Sequence, residues 1–98
     1  MLAIRIRDEA EQDLKEAAQW YERQRSGLGH QFLNQVLIAL DAIGANPTSF
    51  PVAYRKTRRA LIRRFPFAIF YRILPDEILV LAVLHGSRSP GNWKTRIA

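Results

Sequence analysis

The sequence predicts an α+β domain of two layers, a helix hairpin packed on an antiparallel-rich sheet in the order β-α-α-β-β-β. Three observations carry that prediction. Apolar residues recur at helical spacing between Ala10 and Ile43, the period falls to two between Arg59 and His85, and Gly44 with Asn46-Pro47 separates the two regimes. At 98 residues the chain has room for one core, and 48% hydrophobic content is enough to fill it. A single domain over residues 1–98 follows, with 87–98 as a C-terminal tail.

The elements follow in order. Leu2, Ile4 and Ile6 alternate with Ala3, Arg5 and Arg7, which gives a short strand with one buried face. Asp8 and Glu11 fit a helix start, where acids meet the positive end of the dipole. Ala10, Leu14, Ala17, Ala18 and Tyr21 then form one stripe of a helix running to about Arg25, with Trp20 and Tyr21 expected in the core of the hairpin. SGLG at 26–29 is a turn; it lacks the lysine and the glycine spacing of a phosphate loop. Phe32, Leu33, Val36, Leu37, Leu40 and Ile43 make the stripe of a second helix, and Leu37 is expected to be a core residue. Proline ends that helix, and so short a connection makes the two antiparallel.

Three strands are expected beyond it: Arg59–Phe65, Phe67–Leu74 and Glu77–His85, the last two joined at Pro75-Asp76. Phe67, Ile69, Tyr71 and Ile73 share one face of the middle strand; Ala68, Phe70, Arg72 and Leu74 share the other. The run ILVLAVL is apolar on both faces, so the last strand should be interior, covered by the hairpin on one side and by something else on the other.

Charge is divided unevenly. Residues 1–50 hold five basic and seven acidic residues, whereas residues 51–98 hold ten basic and two acidic. No Asp or Glu occurs from Ala42 to Pro75, where Arg55, Lys56, Arg58, Arg59, Arg63, Arg64 and Arg72 fall. Such a segment favours an anionic partner, and arginine's planar fork suits phosphate and carboxylate. Arg59, Arg63 and Arg72 are expected to line a basic surface on the open side of the sheet.

The chain has no cysteine, which excludes a disulfide framework, a thiolate zinc site and a cysteine nucleophile. Two histidines argue against a protein-built metal site, and no motif calls for a cofactor. The opening residues lack a secretory signal and no apolar run is long enough to cross a bilayer, so a cytoplasmic protein with no membrane partner is expected.

Several segments together carry a family resemblance: DLKEAAQWYERQRSGLGHQFLNQV, NPTSFP, RRALIRRFPFAIFYRI and VLAVLHGSRSPGNW. Read jointly, WYE in the first helix, GLG in the turn, FPF-I-YR in a strand and LH-x-x-R after the last strand resemble the RelE/ParE superfamily of toxins from bacterial type II toxin–antitoxin modules. The resemblance implies a RelE/ParE-like fold and a small basic plasmid-stabilisation toxin that inhibits growth. It also implies a cognate antitoxin, acidic and with a DNA-binding domain, bound in a hetero-oligomer.

Two activities occur in that superfamily. RelE-like members cleave messenger RNA on the ribosome, and ParE-like members poison DNA gyrase without cutting RNA. The RelE-like enzymes carry a basic residue in a strand motif G-Y-R, an arginine after the last strand and an aromatic residue beyond it. Here the strand reads FPFAI with Ala68 or a neighbouring apolar residue in place of that arginine, Arg88 matches the second arginine and Trp93 stands for the aromatic residue. Arg55 and Lys56 are the counterpart of a lysine pair between helix and sheet. The pattern sits nearer the ParE-like branch, which makes a non-enzymatic gyrase inhibitor the expectation and a metal-independent ribonuclease the alternative.

For that alternative, His85 and Arg88 are the catalytic candidates. Cleavage through the 2′-hydroxyl needs a proton acceptor, a proton donor and a cation beside the developing charge, and a histidine with an arginine can supply these. Trp93 would stack a base. The plainer readings place His85 at a strand end bonding a backbone carbonyl, Arg88 against an acidic side chain of the antitoxin, and Trp93 as a plug beneath the sheet. Arg59, Arg63, Arg72, Arg88 and Trp93 are thus candidates for binding the target or the antitoxin.

Overall fold

The polypeptide enters as a strand and leaves as a helix, and both ends meet on one strand. The computed structural model describes residues 2–86 and 90–97, the side chains of 90–93 excepted. The elements are β1 (Ala3–Ile6), α1 (Asp8–Gln24), α2 (Leu28–Ala45), a 3-10 turn (Pro47–Ser49), β2 (Val52–Tyr54), β3 (Thr57–Leu61), β4 (Phe67–Ile73), β5 (Glu77–His85) and α3 (Pro90–Ile97). They form an open five-stranded sheet in the order β1-β5-β4-β3-β2. Every neighbour pair is antiparallel except β1 with β5, which is parallel. The α+β class and the helix hairpin are as the sequence predicts. Two elements are additional: β2, and α3 in the segment read as a tail.

The hairpin owes its geometry to one carboxylate and two glycines. Glu22 of α1 accepts the N–H groups of Gly27 at 2.9 Å and Gly29 at 3.0 Å, filling donors that the start of α2 leaves open. Gly27 has φ +87, a left-handed turn that glycine adopts without strain. Gly29 lies against α1 so closely that a Cβ there would stand 2.5 Å from the carbonyl oxygen of Ala18. The E…GLG pattern is therefore a helix-crossing device.

The core between hairpin and sheet gathers Ala10, Phe32, Val36, Ile43, Ile69, Tyr71, Ile78 and Val80, all buried. Tyr21 meets Phe65 edge-on with centroids 4.9 Å apart, and Phe32 meets Phe67 at 5.2 Å. Such pairs add about 0.5–1.5 kcal/mol each beyond the area they bury. Tyr71 donates its hydroxyl hydrogen to the carbonyl of Pro47 at 2.7 Å, which ties the end of α2 to β4.

Two expected core residues face outward. Leu37 is 60% exposed and Trp20 is 51% exposed. The apolar arc of α2 is wider than the sheet it covers: Phe32, Val36 and Ile43 point inward, and Leu33, Leu37 and Ile38 turn away. On α1 it is Tyr21 that enters the core, and Trp20 rests against its edge at 5.1 Å. The expected strand Arg59–Phe65 is also shorter than its alternation promised. β3 stops at Leu61, and Arg63 and Arg64 form a turn because Arg64 adopts φ +73, outside strand geometry.

The far side of the sheet carries a second cluster of Ala68, Phe70, Leu81, Ala82 and Leu84, closed by the buried Ile97 of α3. This helix is the cover that the doubly apolar β5 requires. A bulge at Leu81 lets β5 serve both clusters, since Tyr71 pairs with Val80 but Phe70 pairs with Ala82. Among the described residues, no helix is long and apolar enough to cross a membrane.

Candidate functional site

β1 stops opposite Val80, so the edge of β5 from Leu81 onward has no strand beside it. Side chains take over that edge. Arg7 donates from Nε to the carbonyl of Leu81 at 3.0 Å, and Asp13 accepts the Val83 N–H at 3.0 Å. The same two residues hold the C-terminal helix. Arg7 Nη2 donates to the carbonyl of Arg96 at 2.8 Å, and the guanidinium of Arg96 donates to both carboxylate oxygens of Asp13, at 3.2 and 2.8 Å. The Asp13 side chain is only 11% exposed, so this pair is worth more than a surface ion pair.

Beside the network, α1 and the ends of β4 and β5 enclose a cavity of about 750 Å³. Asp13, Trp20, Phe67, His85 and Arg96 are among its walls. His85 is half-buried there and meets the Phe67 ring edge-on at 5.3 Å. The wall thus mixes aromatic faces with charges of both signs. Arg88 lies outside the described residues, as does the side chain of Trp93, which falls on α3. The proximity of His85, Arg88 and Trp93 in sequence therefore has only its first member in the described geometry.

The basic residues divide into two groups. Arg58 turns toward the hairpin side and donates to the carbonyls of Thr48 at 3.2 Å and Phe50 at 2.6 Å, a structural brace. Arg72 donates from Nε to Thr57 Oγ1 at 3.1 Å and from Nη2 to the carbonyl of Ile97 at 3.5 Å, which supports the end of α3. Arg59 pairs across the ladder with Phe70, so Arg59 and Arg72 share the face that α3 partly covers. Arg63 stands apart, in the turn after β3 and beside α2.

Among the described residues the ion pairs are Arg5–Glu77, Arg7–Glu9 and Arg96–Asp13. None involves the arginines between positions 55 and 72. Their charge is left for a partner or for solvent. Tyr54 collects two cations on its ring, the guanidinium of Arg55 and the ammonium of Lys94 each 5.2 Å from the centroid. Among the described residues, no group of three or more His, Asp or Glu side chains is gathered for a metal ion.

Sequence reasoning missed Arg7, Asp13, Arg96, Tyr54 and Lys94. A signal existed for the first two: β1 is far shorter than β5, so polar side chains just after β1 must satisfy what it leaves unpaired. Nothing local announced Lys94 or Arg96, because the helix that carries them was not foreseen.

The comparisons agree with this architecture. The family model of the ParE toxin of the type II toxin–antitoxin system parDE matches residues 4–90. Among solved structures, the chain is similar to one described as the chromosomal ParDE TA system from P. aeruginosa, with a TM-score of 0.78 and 16% identity. That likeness covers 87% of this chain and 96% of the other, and it is a likeness of fold. No curated protein matches. With the family match running from β1 to the start of α3, over a hairpin, sheet and basic face of the kind described, the chain belongs to the ParE toxin family of type II toxin–antitoxin systems.

Proposed function

We propose that this protein inhibits growth by acting on DNA gyrase, in the cytoplasm, and that a cognate antitoxin neutralises it by covering its basic surface in a hetero-oligomer. The family match and the parDE context of the similar structure support the toxin–antitoxin reading. Ala68 carries the choice of target. By the resemblance, Ala68 or a neighbouring apolar residue stands in β4 where RelE-like ribonucleases present a cation, and Ala68 is a buried methyl group in the cluster closed by Ile97. A phosphate on that face would meet no charge from this position.

The ribonuclease alternative keeps His85 and Arg88 as catalytic groups. His85 lines the cavity, which is the observation in its favour. One pair of assays separates the two. The purified protein should inhibit gyrase supercoiling and leave translated messenger uncut; codon-specific cuts with normal supercoiling would overturn the proposal. Arg88→Ala should relieve growth arrest without lowering the melting temperature, because it follows the last strand. Undiminished arrest would remove Arg88 from the working surface.

A further inference from the structure

The cavity of about 750 Å³ has one wall built by a single face of α1, where Asp13, Glu16, Trp20, Tyr21 and Arg23 follow helical spacing. From Asp13 to Arg23 that wall runs about 15 Å, at about 1.5 Å of rise per residue. The volume lies within the range of about 300–1,000 Å³ typical of small-molecule sites. Edge-on ring contacts carry its lining from α1 to the end of β5. Trp20 meets Tyr21 with centroids 5.1 Å apart, Tyr21 meets Phe67 at 6.0 Å, and Phe67 meets His85 at 5.3 Å. Walls of this kind accept a further flat ring, offset or edge-on.

One polar group in this lining is left over by the fold. Tyr21 is only 9% exposed, yet its hydroxyl makes no hydrogen bond to another described residue. The second buried tyrosine differs, since Tyr71 donates to the carbonyl of Pro47. Among the described residues, no fully enclosed side-chain oxygen or nitrogen lacks a partner. The Tyr21 hydroxyl therefore reaches open space, and the cavity is the space that Tyr21 borders. A phenol can donate and accept, and a lone polar group among apolar rings is what fixes the orientation of a bound small molecule.

The charges in the lining restrict the occupant. Asp13 and Arg96 are already joined to each other, and Glu16 and Arg23 oppose one another in sign along α1. A ligand carrying a net charge would meet a like charge wherever it met an opposite one, and burying an imperfectly paired charge is costly. A phosphate would lie beside Asp13 and Glu16 as well as the guanidiniums, so a nucleic-acid strand is disfavoured here. The length of the wall exceeds what a single ring fills. We infer that this cavity is a binding site for an uncharged, fused-ring heteroaromatic molecule, stacked against Trp20 and Phe67 and hydrogen-bonded to the hydroxyl of Tyr21. The inference goes beyond the toxin–antitoxin reading and holds whichever cellular target the protein has.

The test titrates the purified full chain, labelled with nitrogen-15, with two neutral probes, indole and lumichrome, and follows its amide spectrum. Tryptamine and indole-3-carboxylate supply the same ring with a positive and a negative charge. At least one neutral probe should saturate with a dissociation constant below about 1 mM, with shifts centred on Ala17, Tyr21, Phe67, Val83 and His85. The charged indoles should bind more weakly than indole. Tyr21→Phe keeps the ring and should melt as the parent does, because its hydroxyl has no partner in the fold, while weakening the bound probe roughly fivefold. Trp20→Ala, at an exposed position, should weaken it as well. The inference is overturned if neither neutral probe saturates in that range, if the shifts centre elsewhere, if either charged indole binds as tightly as indole, or if Tyr21→Phe binds like the parent or melts below it.

Discussion

Asp13 and Val83 are 70 residues apart in the chain and directly joined, the carboxylate Oδ2 accepting the backbone N–H at 3.0 Å. A helix side chain here does what a neighbouring strand does elsewhere. Its twin is Arg7, which donates to Leu81 one step back along the same edge. Each also grips α3, through Arg96, so the strand edge and the C-terminal helix share anchors.

Asp13→Ala should therefore cost about 1–3 kcal/mol, since a poorly solvated N–H and a guanidinium lose their acceptor together. Asp13→Asn keeps an oxygen for Val83 and drops the charge, so its loss should be smaller. Urea denaturation midpoints of the two variants check the order, and faster amide exchange at Val83 should accompany Asp13→Ala alone.

The hairpin predicts a second ranking. In Gly29→Ala the new Cβ meets the Ala18 carbonyl at 2.5 Å, a backbone atom that cannot swing aside. Overpacking of this kind costs about 1–3 kcal/mol, against a gain of up to about 1 kcal/mol from helix propensity. Thermal melts should show Gly29→Ala below the parent, and Glu22→Ala below it too, because two N–H groups lose their acceptor.

Phe32→Ala and Leu37→Ala separate the faces of α2. The first empties a fully buried position and should cost about 3–5 kcal/mol. The second removes a largely exposed side chain and should shift stability by no more than about 0.5 kcal/mol. A large loss from Leu37→Ala would mean that this residue is covered in solution.

High pH should destabilise the fold. Burial pushes the phenols of Tyr21 and Tyr71 above their ordinary value of 10.0, with Arg58 partly opposing this at Tyr71. The unfolded chain then releases these protons first, so the folded state binds more protons and stability falls as pH rises past about 10. Denaturant midpoints along that range should decline, and Tyr71→Phe should flatten the decline while losing about 0.5–1.5 kcal/mol at neutral pH for the bond to Pro47.

Much of this fold is legible in the sequence because the helices declare themselves by spacing and stop at Asn46-Pro47. Even the cover on the far side of β5 is foreseeable from ILVLAVL, whose two apolar faces cannot both meet one hairpin. What was hidden has specific causes. β2 spans three residues, too few to display a period, and α3 begins with Pro90-Gly91 and buries Ile97 near its end, so PGNWKTRI reads as tail. The outward turn of Leu37 could not be read because α2 is apolar around more than half its circumference. At the candidate site, the basic bias from 55 to 72 was plain. Its division into braces (Arg58, Arg72) and exposed cations (Arg59, Arg63) depended on nearby carbonyls that no linear pattern specifies.

Ile4 lies beside Ile78 because the first strand docks in parallel with the last. On the ribosome this imposes an order of events. The helix hairpin is local and can form while synthesis continues, but the sheet against which Phe32 and Val36 must pack lacks its interior strand until β5 has emerged from the exit tunnel. A nascent chain interrupted before that point presents an uncovered oily hairpin, a substrate for chaperones and proteases, and carries no assembled toxin surface. The sheet is thus withheld until β5 has been translated.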